Sequence, residues 1–205
     1  MTRQQHWEAA YQTDGPTDVS WFQSRPDTSL DFIAATGSTR DGGIIDVGGG
    51  ASTLVDFLLD AGYSALAVLD LSATALTHAR ARLGKRAAAI EWFDADVTSF
   101  DPPHRFAVWH DRAVFHFLTT PADRRGYVAT LRRTLQPVGH AVIATFAPDG
   151  PAKCSGLDMV RYDEASIAAE LGPDFVLRDS RRETHQTPWQ TEQRFGYFRF
   201  EHLPQ

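Results

Sequence analysis

Cysteine is almost absent from this 205-residue chain, which carries only Cys154. That excludes an intramolecular disulfide and any metal site built from several thiolates, and such usage suits a reducing cytoplasm. Long apolar runs are missing too: none approaches the roughly 20 residues of a membrane-spanning helix. The opening Met-Thr-Arg-Gln-Gln-His has no apolar signal core, so the expectation is a soluble, untargeted, cytoplasmic protein. Positive charge is short as well. A formal net charge of -6 argues against a non-specific nucleic-acid partner. The cluster Arg124, Arg125, Arg132 and Arg133 reads as a solvated helix face. The 8 histidines include no H-x-x-x-H or H-E-x-x-H spacing, so no metal is expected. There is no internal repeat, low-complexity stretch or domain linker.

What is present is alternation. Apolar, β-branched runs at 44–47, 65–70, 89–93, 105–110 and 139–146 are separated by amphipathic stretches at 52–61, 72–83 and 121–135. Strands alternating with helices of this length imply βαβ units with right-handed crossovers in a parallel sheet. A further helix is expected over Glu164–Leu171. Apolar–polar alternation at Phe175–Asp179 and Phe195–His202 predicts an antiparallel pair, joined by a polar connection over Thr184–Gln193. Residues 1–40 are polar with scattered aromatics, a Gly15-Pro16 loop and a short helix at Asp27–Ala35. They form an N-terminal segment ahead of one domain spanning 41–205.

The most informative run is Ile44-Ile45-Asp46-Val47-Gly48-Gly49-Gly50-Ala51-Ser52-Thr53, in which a strand ends in a glycine turn that opens a helix. Such a turn lets the backbone approach a nucleotide-like ligand. Asp70, followed by Leu71, closes the second strand, where an acid accepts from both ribose hydroxyls; capping the next helix is its structural alternative. Asp96 after the third strand can take an adenine amino group, with Val97 against the ring. A dinucleotide fingerprint requires a third glycine where this chain has Thr53.

The D-x-G-x-G spacing of Asp46, Gly48 and Gly50, with Gly49 between, resembles motif I of the class I S-adenosylmethionine-dependent methyltransferases. The resemblance runs over roughly residues 40–147 and includes Asp70 and Asp96-Val97 in the right order. It departs at Ser52, where the family often has another glycine. It implies a Rossmann-like, seven-stranded, mostly parallel sheet with an antiparallel last strand, helices on both faces and an N-terminal helical lid. The implied cofactor is S-adenosyl-L-methionine, leaving as S-adenosyl-L-homocysteine.

Further on, Asp111-Arg112-Ala113 and Pro121-Ala122-Asp123-Arg124-Arg125-Gly126-Tyr127 resemble, over about 30 residues, an Asp-Arg-Gly-Ala segment and helix start of the thiopurine methyltransferase group. Glycine is replaced by Ala113, and His110 is inserted after Trp109. Some protein-lysine methyltransferases carry a similar Asp-Lys-Gly. No Asn-Pro-Pro-Tyr motif of amino-methylating DNA enzymes occurs at this strand end. Methyl transfer needs alignment and a dehydrated pocket, and a thiol or amine acceptor must also lose a proton. His110 or His116 can take that proton, or simply pack behind the sheet. His110 also borders the cofactor. Arg112 either clamps an anionic or carbonyl group of the substrate or pairs with Asp111. Trp21 can face the sulfonium or pack on the sheet, and for Trp7 packing is expected. Arg161, Tyr162, His185 and Gln193 are candidates to complete the pocket, with His185 more naturally a surface residue. Cys154 has no nucleophilic task.

The expected activity is methyl transfer to a small-molecule thiol or amine, with no nucleic-acid or membrane partner. Rival readings are a protein-lysine methyltransferase, a non-catalytic cofactor-binding regulatory module and a nicotinamide oxidoreductase.

Overall fold

The computed structural model describes residues 2–13 and 15–204. Strands β1 (Ile44–Val47), β2 (Leu66–Asp70), β3 (Ile90–Asp94), β4 (Phe106–Arg112) and β5 (Leu135–Phe146) pair in parallel. After β5 come a two-stranded hairpin, β6 (Lys153–Cys154) and β7 (Leu157–Asp158), and then two long strands, β8 (Phe175–Gln186) and β9 (Glu192–His202). The main sheet has seven strands in the order β3-β2-β1-β4-β5-β9-β8. Strand β9, last in the chain, is the antiparallel one, held between β5 and β8.

Helices α1 (Arg3–Thr13), α2 (Asp27–Ala34), α3 (Leu54–Asp60), α4 (Ala73–Leu83), α5 (Pro121–Thr134) and α6 (Glu164–Leu171) complete the fold. Ser72 caps α4, accepting from Ala75 N, and Thr120 caps α5 ahead of Pro121. Among the described residues no helix is long and apolar enough to cross a membrane.

Strands β1 and β2 are buried at every position, which means that both faces of the sheet are covered. Successive side chains point to opposite faces. Ile45, Val47, Trp109 and Ile143 therefore meet Tyr127, Leu131 and Ile167 on the α5–α6 side. Ile44, Val108 and Val142 meet Phe32, Leu54 and Leu76 on the α2–α4 side. Asp46 and His110 share the second face, and Asp111 the first. That parity decides their partners in the site.

Two boundaries differ from the expected ones. Strand β8 continues beyond Asp179 to Gln186 and β9 starts at Glu192, so the connection is only 187–191 rather than Thr184–Gln193. An edge strand exposes one row of side chains to water, so its polar run Arg-Arg-Glu-Thr-His-Gln imitates a loop. Strand β5 starts directly at the end of α5, with the register slipping between Phe106 and Val108 of its partner. Within residues 1–40, α1 and the segment to Gln23 lie over the carboxyl ends of the strands, whereas α2 buries Phe32 and Ile33 in the core.

Candidate active site

A cleft partly open to solvent, with a cavity volume of about 110 Å³, lies beyond the carboxyl ends of β1 to β5, where open parallel sheets bind ligands. One end is bordered by Asp70, Leu71, Asp96 and Val97, the other by His116, Phe146, Phe195 and Gln193. Trp7, Tyr11 and Trp21 roof it. Trp7 packs edge-on to Trp21 (5.6 Å) and Phe117 (4.9 Å), and Trp21 Nε1 donates to Tyr11 Oη at 3.1 Å. Trp7 thus reaches the cleft, beyond the plain packing expected for it. A second hollow, on the other side of Trp21, is lined by Ser29, Asp46, Gly49, Ser52 and His110. Gly48, Trp21 and Arg112 border both spaces.

The glycine turn is shaped by its neighbours. Gly48 has φ +66°, and a Cβ there would collide with Val114 Cγ2. Gly50 has φ +40°, and a Cβ would lie 2.7 Å from Asp70 Oδ2 and 3.1 Å from Tyr11 Oη. Both positions require a residue free to enter the left-handed region without a side chain. Gly49 accepts from Ser52 N (2.6 Å), and Ser52 Oγ in turn accepts from Leu54 N (3.1 Å). Ser52 therefore does local work at the start of α3, where the family often has glycine.

Asp70 Oδ1 accepts from Ser72 N at 2.8 Å. Among the described residues no cation lies within ion-pair distance of this buried carboxyl, and burial pushes its pKa up to about 7, with the Asp46 and Asp94 charges adding to the rise. Asp96 is more heavily engaged. Its Oδ1 accepts from Thr98 N (2.8 Å) and Thr98 Oγ1 (2.7 Å), and its Oδ2 accepts from Arg3 Nη2 (3.0 Å).

His110 is fully engaged at both nitrogens. Nδ1 donates to Asp46 Oδ1 at 2.7 Å, and Nε2 is 2.9 Å from Ser29 Oγ. No ring nitrogen is left for a substrate proton, so the expected base role does not fit. The other Asp46 oxygen, Oδ2, is buried and has no partner among the described residues.

His116 does not fit that role either. Its Nδ1 accepts from Phe146 N at 3.1 Å, which puts the ring proton on Nε2. Burial, reinforced by the nearby Arg112 charge, drives its pKa down to about 3. His116 is therefore a neutral donor, and its Nε2 is an unpartnered buried atom among the described residues.

Arg112 is buried and heavily bonded. Nε donates to Tyr197 Oη and Nη1 to Trp21 O, each at 3.0 Å, and the guanidinium carbon lies 4.4 Å from the Phe195 ring centroid. It does not pair with Asp111, whose side chain is on the opposite face. Asp111 instead accepts from Val114 N (2.8 Å), Phe115 N (3.1 Å) and Tyr127 Oη (2.6 Å), fixing the turn after β4. Burial raises the Asp111 pKa to about 6. In that turn Ala113 has φ +74°, the conformation a glycine would favour.

Residues 44–139 match the family model of a methyltransferase domain. Over that stretch the chain is similar to methyltransferases. Solved structures share its fold. One, reported for the conversion of a disulfide bond into a thioacetal group during echinomycin biosynthesis, aligns with TM-score 0.81 at 17% identity, over 98% of this chain and 94% of that one. The N-methyltransferase NodS from Bradyrhizobium japonicum WM9 in complex with S-adenosylhomocysteine gives 0.75 at 19%, over 95% and 97%. Burkholderia thailandensis 1,6-didemethyltoxoflavin-N1-methyltransferase gives 0.74 at 20%, over 98% and 87%. No curated protein sequence matches the chain.

Several positions that line or brace the cleft escape sequence reasoning. Tyr11, Arg3, Phe117 and Phe146 carry no local signal. Ser29 does, as a polar residue on the same helical face as the buried Phe32 and Ile33. Of the residues expected to complete the pocket, Gln193 lines the cleft. Tyr162 instead packs in the core 5.2 Å from Phe115, and Arg161 is exposed. His185, expected at the surface, is buried, with Nε2 2.8 Å from Ser20 O. Cys154 borders the cleft as a buried thiol whose pKa is raised by burial, which suits no nucleophilic task.

Proposed function

We propose that this methyltransferase transfers the methyl group of S-adenosylmethionine to a small-molecule nucleophile, a thiol or an amine. The observation that carries the reading is continuity: one roofed cleft joins the acids of β2 and β3 to an apolar chamber at the ends of β4, β5 and β9. The residues present suit the cofactor. Asp70 has an oxygen free for ribose hydroxyls, and the turn at Gly48 to Gly50 is clear of side chains. Asp46 Oδ2 is a buried acceptor awaiting a donor such as an ammonium. Asp96 and Val97 would border the adenine, with Leu71 beside Asp70.

When bound, the cofactor supplies an electrophilic methyl group on a sulfonium. The chain's own contribution is alignment and exclusion of water. Trp7, Trp21 and Phe117 would close the roof as the lid, and Trp21 can meet a cation with its ring face. His110 acts as a positioning residue, bridging Asp46 to Ser29. His116 and Arg112 present donors to the acceptor chamber. Neither can accept a proton, so the acceptor must arrive with its lone pair free or lose its proton to water. A protein-lysine acceptor calls for an open, acid-lined groove, whereas this chamber is apolar and roofed.

Isothermal titration with S-adenosylhomocysteine tests the donor half, and binding of NAD in its place would overturn it. A coupled assay for S-adenosylhomocysteine release across thiols, amines, carboxylates and peptides tests the acceptor half. Turnover of peptides alone would overturn the small-molecule reading, and turnover of nothing in the panel would favour a regulatory module.

A further inference from the structure

The acceptor chamber holds polar atoms that the protein itself leaves unused. Arg112 Nη2 and His116 Nε2 are buried donors with no hydrogen-bond partner among the described residues, and Gln193 Oε1 is a buried acceptor in the same condition. All three side chains line the one cleft. A buried donor left unmade costs free energy comparable to a lost hydrogen bond, so such atoms mark where a ligand supplies the partner. The other polar atoms of Arg112 and His116 are engaged. Arg112 spends Nε and Nη1 on Tyr197 and Trp21, and His116 spends Nδ1 on Phe146. What remains free is one cationic donor, one neutral donor and one acceptor.

The walls around them are aromatic. Phe146 and Phe195 pack edge to face at 4.6 Å, with His116 4.9 Å from Phe146 and Phe117 4.5 Å from His116. A flat, apolar body fits between such walls. The carboxylate within ion-pair reach of Arg112 is Glu183, 3.9 Å from Nη2, too far for a hydrogen bond. Glu183 Oε1 is itself engaged by Gln23 Nε2 at 3.2 Å. The guanidinium therefore keeps a donor for an incoming anion.

We propose that the methyl acceptor is a planar aromatic acid, whose carboxylate or ring enolate oxygen is held by Arg112 Nη2 and His116 Nε2. This rests on the methyltransferase reading above and deepens it. The oxygen is an anchor and not the methylated atom, because donors on its lone pairs lower its nucleophilicity. The nucleophile is a thiol or amine elsewhere on the same ring, and Gln193 Oε1 is available to one of its hydrogens.

The test uses the full chain saturated with S-adenosylhomocysteine and the probes benzoate, anthranilate and the neutral isostere benzamide, titrated by calorimetry. Benzoate and anthranilate are expected to bind at least about tenfold more tightly than benzamide, the preference expected of a charge-assisted pair. His116→Asn keeps an acceptor for Phe146 N but draws its donor back from the place of Nε2, and Arg112→Lys loses the fork. Each is expected to shrink the benzoate-to-benzamide ratio severalfold. If S-adenosylhomocysteine binds and the wild-type chain shows no preference for the acids, the acceptor assignment is wrong while the methyltransferase reading stands. A preference that survives in both variants, folded by circular dichroism, also overturns it. If S-adenosylhomocysteine does not bind, both readings fall.

Discussion

Arg3 Nη2 lies 3.0 Å from Asp96 Oδ2 and 3.4 Å from Asp123 Oδ1, tying the first turn of α1 to the acid that follows β3. The roof is thus latched at the Asp96 end of the cleft, while Glu8, on the same helix, accepts from Thr74 N and Oγ1 at the start of α4. Arg3 and Asp96 are each about one-third exposed, so the latch is weak, of order 0.2–1 kcal/mol. Arg3→Ala is expected to speed S-adenosylhomocysteine dissociation up to about fivefold. Stopped-flow tryptophan fluorescence, reporting on Trp7 and Trp21, measures it.

Under the proposed function, Asp70 is expected to make cofactor affinity depend on pH. Its folded pKa, raised to about 7 by burial, means that the empty site holds a proton that the unfolded chain has already lost. The stability of the empty protein therefore falls as pH rises from the ordinary carboxylate range towards 7. Ribose hydroxyls donating to Asp70 favour its ionised form. Affinity for S-adenosylhomocysteine is expected to rise from pH 6 to pH 7 and then level off, with a proton released on binding below 7. Calorimetry in buffers of different ionisation enthalpy counts that proton, and Asp70→Asn is expected to abolish it.

Gly48→Ala combines a left-handed backbone with a collision against Val114. The backbone contributes ~1–2 kcal/mol and the forced repacking ~1–3 kcal/mol. A loss of about 2–5 kcal/mol in urea unfolding is expected, with cofactor binding lost as the turn moves.

Ala113→Gly is expected to do the opposite. The φ of +74° at Ala113 is strained for a residue with a side chain, and relief of about 1 kcal/mol raises Tm by ~2–4 °C in a chain of this size. The gain is read by calorimetric thermal unfolding. Unchanged or lowered Tm would show that the extra freedom of glycine in the unfolded chain outweighs the strain.

The donor half of the site is legible in the sequence because its residues are local in the chain. A strand, a glycine turn and an acid at the next strand end are each read from a short window, so Gly48, Asp70 and Asp96 can be picked out as candidates and are found on the one cleft or its rim. The acceptor half is assembled from β4, the loop after β5 and β9, and no window contains it. His110 illustrates the difference. Its place near the end of the strand that neighbours β1 is visible, but its engagement by Asp46 and Ser29 depends on strand parity and on where α2 docks. The polar stretch of β8 was opaque for another reason: edge strands and loops share a composition.

Strand β9 supplies Gln193, Phe195 and Tyr197 and, among the described residues, is the one strand that pairs with β8. During synthesis β9 emerges after the other strands of the sheet, and β8 waits without a sheet partner until it does. A nascent chain stalled before residue 192 already contains Gly48, Asp70, Asp96, Arg112, His116 and Phe146 but lacks the part of the cleft wall that Gln193 and Phe195 form. Under the proposed function, changes in that late hairpin would reshape one wall of the acceptor chamber without touching the residues at the other end of the cleft.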